Sequence, residues 1–292
     1  MKETFGRKLF ICINVIALIL FMIACVYPLV YVLFASFSDS TQLMAHKGLL
    51  FTPLGFNLDT YKAVFENDMI LTGYMNTLFI LVVGVTISIF LTSLGAYFLS
   101  RKGIMFKNLI LGVIMFTMFF SGGLIPFFLT VKGYGLYNTL WAVILPTAIN
   151  TYNLIIMRTS FSQIPESLIE SATIDGAGHL TVLFRIILPL SMAIIAVMIL
   201  YYGVGIWNSW FNAMIFLNDR TLFPLQLVLK EILIQNDTSA MMQGTTNAAD
   251  TYKISETLKY GVIVVATLPI LMIYPLLQKY FVNGVMIGAI KG

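Results

Sequence analysis

The chain has 292 residues, of which 59% are apolar and only 10% are charged. Soluble domains carry about 25% charged residues, so this composition excludes an ordinary soluble protein and indicates a membrane protein. The net charge of +4 does not indicate nucleic-acid binding, because basic residues beside membrane spans set topology. Two cysteines (Cys12, Cys25) and two histidines (His46, His179) are too few and too scattered for a metal site.

Six long stretches of the chain contain no Asp, Glu, Lys or Arg. A charge at the centre of a bilayer costs about 2.5–3.5 kcal/mol, so such gaps mark membrane spans. Each gap can supply the roughly 20 residues that a spanning helix needs. We therefore predict an all-α membrane protein, with one transmembrane domain of six helices over residues 1–292. The predicted spans are about 11–37, 76–99, 108–130, 139–157, 190–217 and 260–278.

The distribution of basic residues predicts the orientation of the chain. If the N-terminus is inside, ten Lys and Arg residues fall in the inner segments, whereas the short outer turn carries only Lys132. Both termini and the 158–189 segment are then cytoplasmic, and the chain is a multi-pass protein of the plasma membrane. The first apolar run is longer than the roughly 7–15 apolar residues of a signal peptide, so we interpret it as an uncleaved helix.

The segment between the fourth and fifth spans has the signals of two short helices. Pro165 suits a first helical position, and a helix is predicted from about Glu166 to Ile174. Asp175 and Gly176 form a turn pair. Glycine takes positive φ without strain, and the aspartate carboxylate can cap the helix that follows.

After this turn, apolar residues recur on one helical face until Pro189 closes the segment. A solvated connector needs no such stripe, and a large apolar face is costly to leave in water. The stripe therefore favours docking, either in the headgroup region or in a protein cleft. Its members are Leu180, Leu183, Phe184, Ile187 and Leu188.

The same segment carries a spaced motif. Glu170-Ser171-Ala172 is followed after three residues by Gly176, and after nine more by the sequence IILP at 186–189. This resembles the EAA loop of binding-protein-dependent ABC importer permeases, in which E-A-A, three residues, G and nine residues precede I-x-L-P. The one departure is Ser171, where the family usually has Ala.

Other stretches support the resemblance and narrow it. Residues 278–292 resemble the C-terminus of maltose-type carbohydrate permeases. Residues 121–126 (SGGLIP) and 136–141 (LYNTLW) are most similar to oligosaccharide permeases of Gram-positive bacteria.

The resemblance implies an ABC importer permease fold in which residues 158–189 form a cytoplasmic helix-turn-helix coupling loop. In the family this loop docks in a groove of the ATPase subunit, where Glu170 would pair with a basic residue and Gly176 would supply the turn. The expected ATPase-coupling residues are Glu170, Ser171, Ala172, Asp175, Gly176, Ala177, Phe184 and Pro189.

The resemblance also implies partners. They are a second homologous permease in a heterodimer, an ABC ATPase dimer, an extracellular solute-binding lipoprotein, an oligosaccharide and membrane lipids, with no nucleic acid. The chain has no G-x-x-x-x-G-K-[ST] phosphate loop, so we expect no cofactor on it and ATP and Mg on the partner ATPase. It is then a transporter subunit rather than an enzyme.

Polar and aromatic residues within the predicted spans mark a second candidate site. Asn150, Tyr152 and Asn153 lie in the fourth span, and Trp207 and Asn208 lie in the fifth. Amides in hydrocarbon are costly, so these should face the bundle or a wet cavity. They either form hydrogen bonds between helices or line a sugar path, and the tryptophan also fits an aromatic belt.

In the third span, Gly122-Gly123 and Pro126 have two readings. The helix either unwinds there beside a cavity or packs closely against a neighbour.

Other functions stay open at this stage. An ABC importer permease for another solute, such as glycerol phosphate or a polyamine, has the same motif. A secondary transporter is less well supported, because it would use Asp, Glu or His inside the membrane and none of the six predicted spans carries one.

Overall fold

The computed structural model describes residues 5–242, 257–273 and 275, and for 235–242 it describes the backbone alone. The predicted all-α class is confirmed for these residues, in which the only β-pairing is an isolated bridge between Ser38 and Phe56. The helices are α1 (Phe5–Ser36), α2 (Ser40–Ala45), α3 (Asp59–Phe65), α4 (Asp68–Ser100), α5 (Lys107–Phe119), α6 (Leu124–Gly133), α7 (Trp141–Ile144), α8 (Thr151–Phe161), α9 (Glu166–Ile174), α10 (His179–Val182), α11 (Leu188–Leu190), α12 (Met192–Trp207), α13 (Phe211–Phe216), α14 (Leu225–Met242) and α15 (Thr257–Ile273).

Contacts divide the chain into two compact units. The first comprises Met1–Asp68 with Leu229–Leu268, and the second comprises Met69–Val228 with Pro269–Gly292. In the first unit, Asp39 caps α2 by accepting hydrogen bonds from the Thr41 and Gln42 amides. The second unit contains both candidate sites.

Among the described residues, α1 and α4 are each long and apolar enough to cross a membrane. Two bent pairs raise the number to as many as four: α5 meets α6 at 114°, and the helix His179–Leu190 meets α12 at 88°. The break between α5 and α6 covers residues 120–123 and ends at Gly123, whose φ of +87° suits glycine, so the third span is interrupted at its pair of glycines. The shorter apolar helix α15 begins three residues before the predicted sixth span and overlaps it, and the predicted end of this span at 278 is outside the described residues.

The fourth and fifth predicted spans are not continuous helices. The chain from 139 to 157 forms α7, a 3-10 turn (Leu145–Thr147) and the start of α8. Pro146 has no N–H to donate to the preceding turn, and Asn150 is extended and caps α8, so one helix cannot run through. The fifth span is interrupted between α12 and α13.

Small residues let the other helices pack closely on α4. Its buried positions recur every three or four residues and include Gly73, Gly84, Ser88 and Ala96. A Cβ added at Gly84 would lie 3.0 Å from Ile206 Cδ1, and one at Gly73 would lie 3.1 Å from Leu225 Cα. Such stripes allow close approach inside a membrane, where helices gain little from the hydrophobic effect.

We predict that Gly73→Ala lowers the free energy of unfolding by about 1–3 kcal/mol, because the new methyl group meets backbone that cannot rotate away. Gly112→Ala is the matched control, since nothing lies within 4 Å of its added Cβ and Ala is the better helix former. Thermal unfolding of the two variants in detergent checks this. Equal stability of both would contradict the packing described for α4.

Candidate functional site

Helix α9 ends in a Schellman motif centred on Gly176. The Ala177 amide donates to Ala172 O at 2.8 Å and the Gly176 amide donates to Thr173 O at 3.0 Å, the 6→1 and 5→2 bonds of that motif. Gly176 has a φ of +83°, which glycine adopts without steric cost. The predicted bounds of α9 and the predicted glycine turn are confirmed.

The predicted capping role of Asp175 is wrong. Asp175 is the C-cap of α9, and the residue before α10 is Gly178, which makes no side-chain capping bond. The two bonds of the Schellman motif occupy the turn, so the aspartate lies three residues from the position where a side chain can cap α10.

The segment from His179 does not stop at Pro189. It continues through α10, a π-helical turn (Leu183–Ile187) and α11, and the chain bends at Ser191. Proline cannot donate to the preceding turn, and a π-helical turn already departs from the regular α pattern of hydrogen bonds. Pro189 is therefore accommodated inside the segment, two residues before the bend.

The apolar stripe of this segment divides into two parts. Leu183 and Ile187 are 1% and 0% exposed, whereas Leu180 and Phe184 are 63% and 46% exposed. Leu188 is partly buried against the same core as the first pair. One part of the predicted stripe is thus buried in this chain, and the other part is largely exposed to solvent.

The buried part belongs to an apolar core of the second unit. This core, which we call the loop core, joins α4, α8, α9 and α12 to the segment from His179. Its fully buried members include Met157, Phe161, Leu183, Ile187 and Met198. Full burial of such a side chain contributes about 1.5–3 kcal/mol, so the 158–189 loop is held by several kcal/mol of apolar contact.

Polar contacts add to this packing at the end of α4. Lys102, two residues after the end of α4, forms an ion pair with Glu166 of α9. The hydrogen bond and the charge of Glu166 raise the pKa of Lys102 above its usual value. The Tyr97 hydroxyl lies 3.4 Å from His179 Nδ1, so the end of α4 contacts both helices of the loop.

Two arginines tie the ends of α4 and α8 together. Arg101 Nη2 donates to Phe161 O at 3.2 Å, and Arg158 Nε donates to Leu99 O at 3.3 Å. Each cation therefore satisfies a terminal carbonyl of the other helix, where the helix dipole favours positive charge. Lys107 Nζ donates to Arg101 O at 2.8 Å and brings the start of α5 to the same place.

A concave surface of about 550 Å³ lies between the end of α4 and the loop. Its lining combines both signs of charge with apolar side chains, and it leaves Glu170 and Ile174 exposed. The lining residues are Tyr97, Arg101, Lys102, Glu166, Ile169, Glu170, Thr173, Ile174 and His179.

A second, smaller cavity of about 170 Å³ lies where the predicted fourth span is broken. Its polar lining residues are Thr147, Asn150, Asn153, Tyr201, Tyr202 and Ser209. The Tyr202 hydroxyl lies 2.7 Å from Thr92 Oγ1 and accepts the Asn150 amide at 3.1 Å. Tyr202 therefore holds the break between α7 and α8 against α4.

Residues 84–287 match the family described as the binding-protein-dependent transport system inner membrane component. The chain belongs to this family.

Relatives and solved structures agree with this membership. The permease is 42% identical to the polygalacturonan/rhamnogalacturonan transport system permease protein YtcP of Bacillus subtilis, over 94% of this chain and 96% of that protein. It is 43% identical to protein LplC of Bacillus subtilis, over 91% and 90%. A bacterial ABC transporter that imports the acidic polysaccharide alginate matches with a TM-score of 0.87 and 29% identity, over 96% and 99%. The permease is thus a membrane-embedded transport component with the ABC importer fold.

The other expected coupling residues of the permease lie around the turn. Ser171 is exposed and donates to Ser167 O at 2.7 Å, so the serine hydroxyl is used inside α9. Ala172 and Ala177 pack against the loop core. Phe184 stacks on Phe90 of α4, with ring centroids 6.4 Å apart.

The structure brings together only two of the five expected path residues. Asn150 and Asn153 line the smaller cavity, whereas Tyr152 does not and is 55% exposed. Trp207 is 4% exposed, lies against Tyr74 and lines a separate apolar cavity of about 320 Å³. Asn208 donates to Val204 O at 3.0 Å within its own helix turn.

Sequence reasoning missed the α12 side of this cavity. Tyr201 and Gly205 of α12, and Ser209 just beyond its end, recur every four residues, a spacing typical of one helix face. That spacing was readable, but pairing it with Asn150 required the fold.

We predict that Tyr202→Phe lowers the free energy of unfolding by about 1–3 kcal/mol, because it leaves the Thr92 hydroxyl and the Asn150 amide without this partner. The double variant Thr92→Val, Tyr202→Phe should recover part of the loss, since one stranded group is then gone. Chemical unfolding in detergent micelles measures both. A Tyr202→Phe variant as stable as the parent would contradict the described bond network.

Proposed function

We propose that the permease is one transmembrane half of an ATP-driven importer of oligosaccharides. The observation that carries this is the arrangement of the 158–189 loop. One side packs into the loop core with the membrane helices, and the other side leaves Glu170, Ile174 and Leu180 exposed. A partner that grips the exposed side would move helices through the buried side.

We propose a sugar substrate because several relatives that align along nearly the whole chain are named as permeases for polysaccharides or oligosaccharides. Besides the polygalacturonan/rhamnogalacturonan transport permease, they include arabinooligosaccharide transport permeases that are 25% and 27% identical to this chain. The substrate would reach the permease from an extracellular solute-binding lipoprotein, in keeping with the binding-protein-dependent family.

The proposed assembly contains further subunits. It has no phosphate-binding loop, so ATP and Mg would bind a partner ATPase dimer. A second, homologous permease would complete a heterodimer. We propose a single transmembrane domain over residues 1–292. The excess of Lys and Arg in the inner segments favours a multi-pass topology with both termini and the loop in the cytoplasm, where the ATPase would dock.

In this proposal the loop and the ends of α4 and α8 move as one piece. A ligand or partner shifts a conformational equilibrium only through contacts that differ between the states. The ion pair of Lys102 with Glu166 and the two arginine ties make the loop continuous with α4 and α8. Movement of the ATPase groove would then be transmitted to the spans. Uptake of labelled oligosaccharides by proteoliposomes that hold the whole complex tests the proposal.

We predict that Gly176→Val permits membrane insertion but uncouples ATP hydrolysis from uptake. The added side chain enters open space, so its effect comes from a left-handed φ that costs non-glycine residues about 1–2 kcal/mol. Gly178→Val is the matched control, because Gly178 also faces open space but has a φ of −74°. Uptake and ATPase rates are compared at equal protein levels. Normal uptake by Gly176→Val would count against the coupling role.

We predict that Glu170→Ala weakens ATPase association roughly tenfold or more, because a cation of the groove loses its partner at a buried contact. Glu166→Gln serves as the control, since Glu166 is already paired with Lys102 of the same chain. Co-purification of the ATPase with each variant is the measurement. Unchanged association of Glu170→Ala would refute the proposed pairing.

A further inference from the structure

The smaller cavity holds a buried amide that the fold itself does not use. Asn153 is 6% exposed, and in the described part of the chain its side chain makes no hydrogen bond. Among the described residues, every side-chain nitrogen or oxygen that is inaccessible to solvent has a hydrogen-bond partner. Because the Asn153 amide has no such partner, its polar atoms must be accessible from the cavity that Asn153 lines.

Structural roles do not account for this amide. Asn150 Oδ1 accepts the Asn153 backbone amide at 3.1 Å, so capping of α8 is done by its neighbour. Contact between helices is made by Tyr202 with Thr92. A buried amide without a hydrogen-bond partner is unfavourable, and a ligand or water in the cavity would offset this cost.

The chemistry of the lining selects a class of ligand. An amide side chain offers two donors and a carbonyl acceptor, which matches hydroxyl groups that both donate and accept. The cavity lining contains no Asp, Glu, Lys, Arg or His. A carboxylate placed here would be desolvated without a cation, whereas sugar hydroxyls would be paired.

The rest of the cavity lining is apolar. Ile80, Val143, Ile144 and Ile206 give the cavity an apolar side, and Gly205 leaves open space within 4 Å of where a Cβ would lie. A sugar ring has apolar C–H faces and a hydroxyl rim, so it complements this lining. The size of about 170 Å³ suits one ring rather than a whole oligosaccharide.

We propose that this cavity is a sugar subsite within the permease, in which the Asn153 amide binds hydroxyl groups of one ring. The inference rests on the proposed import of oligosaccharides, and it deepens that function by assigning one contact point to this chain. Any carboxylate of an acidic substrate lies outside this subsite.

The test uses the whole complex in proteoliposomes, with Cys12 and Cys25 replaced by Ala. Raffinose, arabinotriose, maltotriose and trigalacturonate are first tried as substrates of the parent complex. A small methanethiosulfonate reagent then labels Ser209→Cys, which lines the cavity, and Asn208→Cys, which does not. We expect the transported sugar to slow labelling of Ser209→Cys at least fivefold and to leave Asn208→Cys unaffected.

Two substitutions test the subsite by transport. Asn153→Leu should raise the KM for the transported sugar about tenfold while the maximal rate changes little, as expected for lost ground-state binding. Gly205→Leu fills the cavity and should reduce uptake about tenfold. Gly203→Leu is its control, because Gly203 lies on the same helix but lines the apolar cavity. Co-purified ATPase should be unchanged in all three.

The outcomes separate the two proposals. Uptake of a sugar by the parent complex, with no protection of Ser209→Cys and a normal KM for Asn153→Leu, would mean that the cavity holds water only and would overturn the subsite alone. Uptake of none of the four sugars would overturn the proposed function and the subsite together.

Discussion

The loop core is the constraint on which the account depends. Leu183 and Ile187 belong to the 158–189 loop, yet they are buried in the same cluster as Met157 and Phe161 of α8 and Met198 of α12. The loop therefore cannot shift relative to these helices without opening apolar contacts worth several kcal/mol. The polar contacts at the end of α4 then connect this helix to a loop whose position is already fixed by packing.

The two candidate sites meet in the same three helices. Helices α4, α8 and α12 carry the loop core, and each also contributes to the lining of the polar cavity, through Ile80, Asn153 and Tyr202 respectively. Interrupted helices make this possible, because a break in a span leaves backbone groups that must find side-chain partners. The break before α8 is capped by Asn150 and held by Tyr202, and its other polar groups line the cavity.

Much of the loop was predictable because its signals are local. Pro165 and Gly176 mark the ends of α9 through their own backbone preferences, and the motif spacing identified the family. The aspartate cap was not predictable in the same way. An Asp-Gly pair suits a cap or a turn, and the hydrogen bonds of the Schellman motif decided between them. The π-helical turn and the divided apolar stripe depend on packing against α8 and α12, which no local pattern encodes.

In the membrane spans, too, features with local sequence signals were predictable and features that depend on the fold were not. Charge-free stretches located α1 and α4, and Gly122-Gly123 marked the break between α5 and α6. The fourth span is not the single helix that its apolar content predicts, because Pro146 interrupts the helical hydrogen bonds. Among the path residues, Asn150 and Asn153 line the same cavity because Asn150 is the N-cap of α8 and Asn153 lies in the first turn of this helix. Trp207 and Asn208, at the end of α12, do not line this cavity, because successive positions of a helix point in different directions.

The most direct test of the account is a cross-link between the loop and α4. In a background without Cys12 and Cys25, Lys102→Cys and Glu166→Cys are joined by a short, reducible bis-methanethiosulfonate linker within the whole complex. If the loop and the end of α4 move as one piece, ATP-driven sugar uptake continues at close to its normal rate after cross-linking. Uptake that stops on cross-linking and returns on reduction would show that the two must separate, and it would contradict the account.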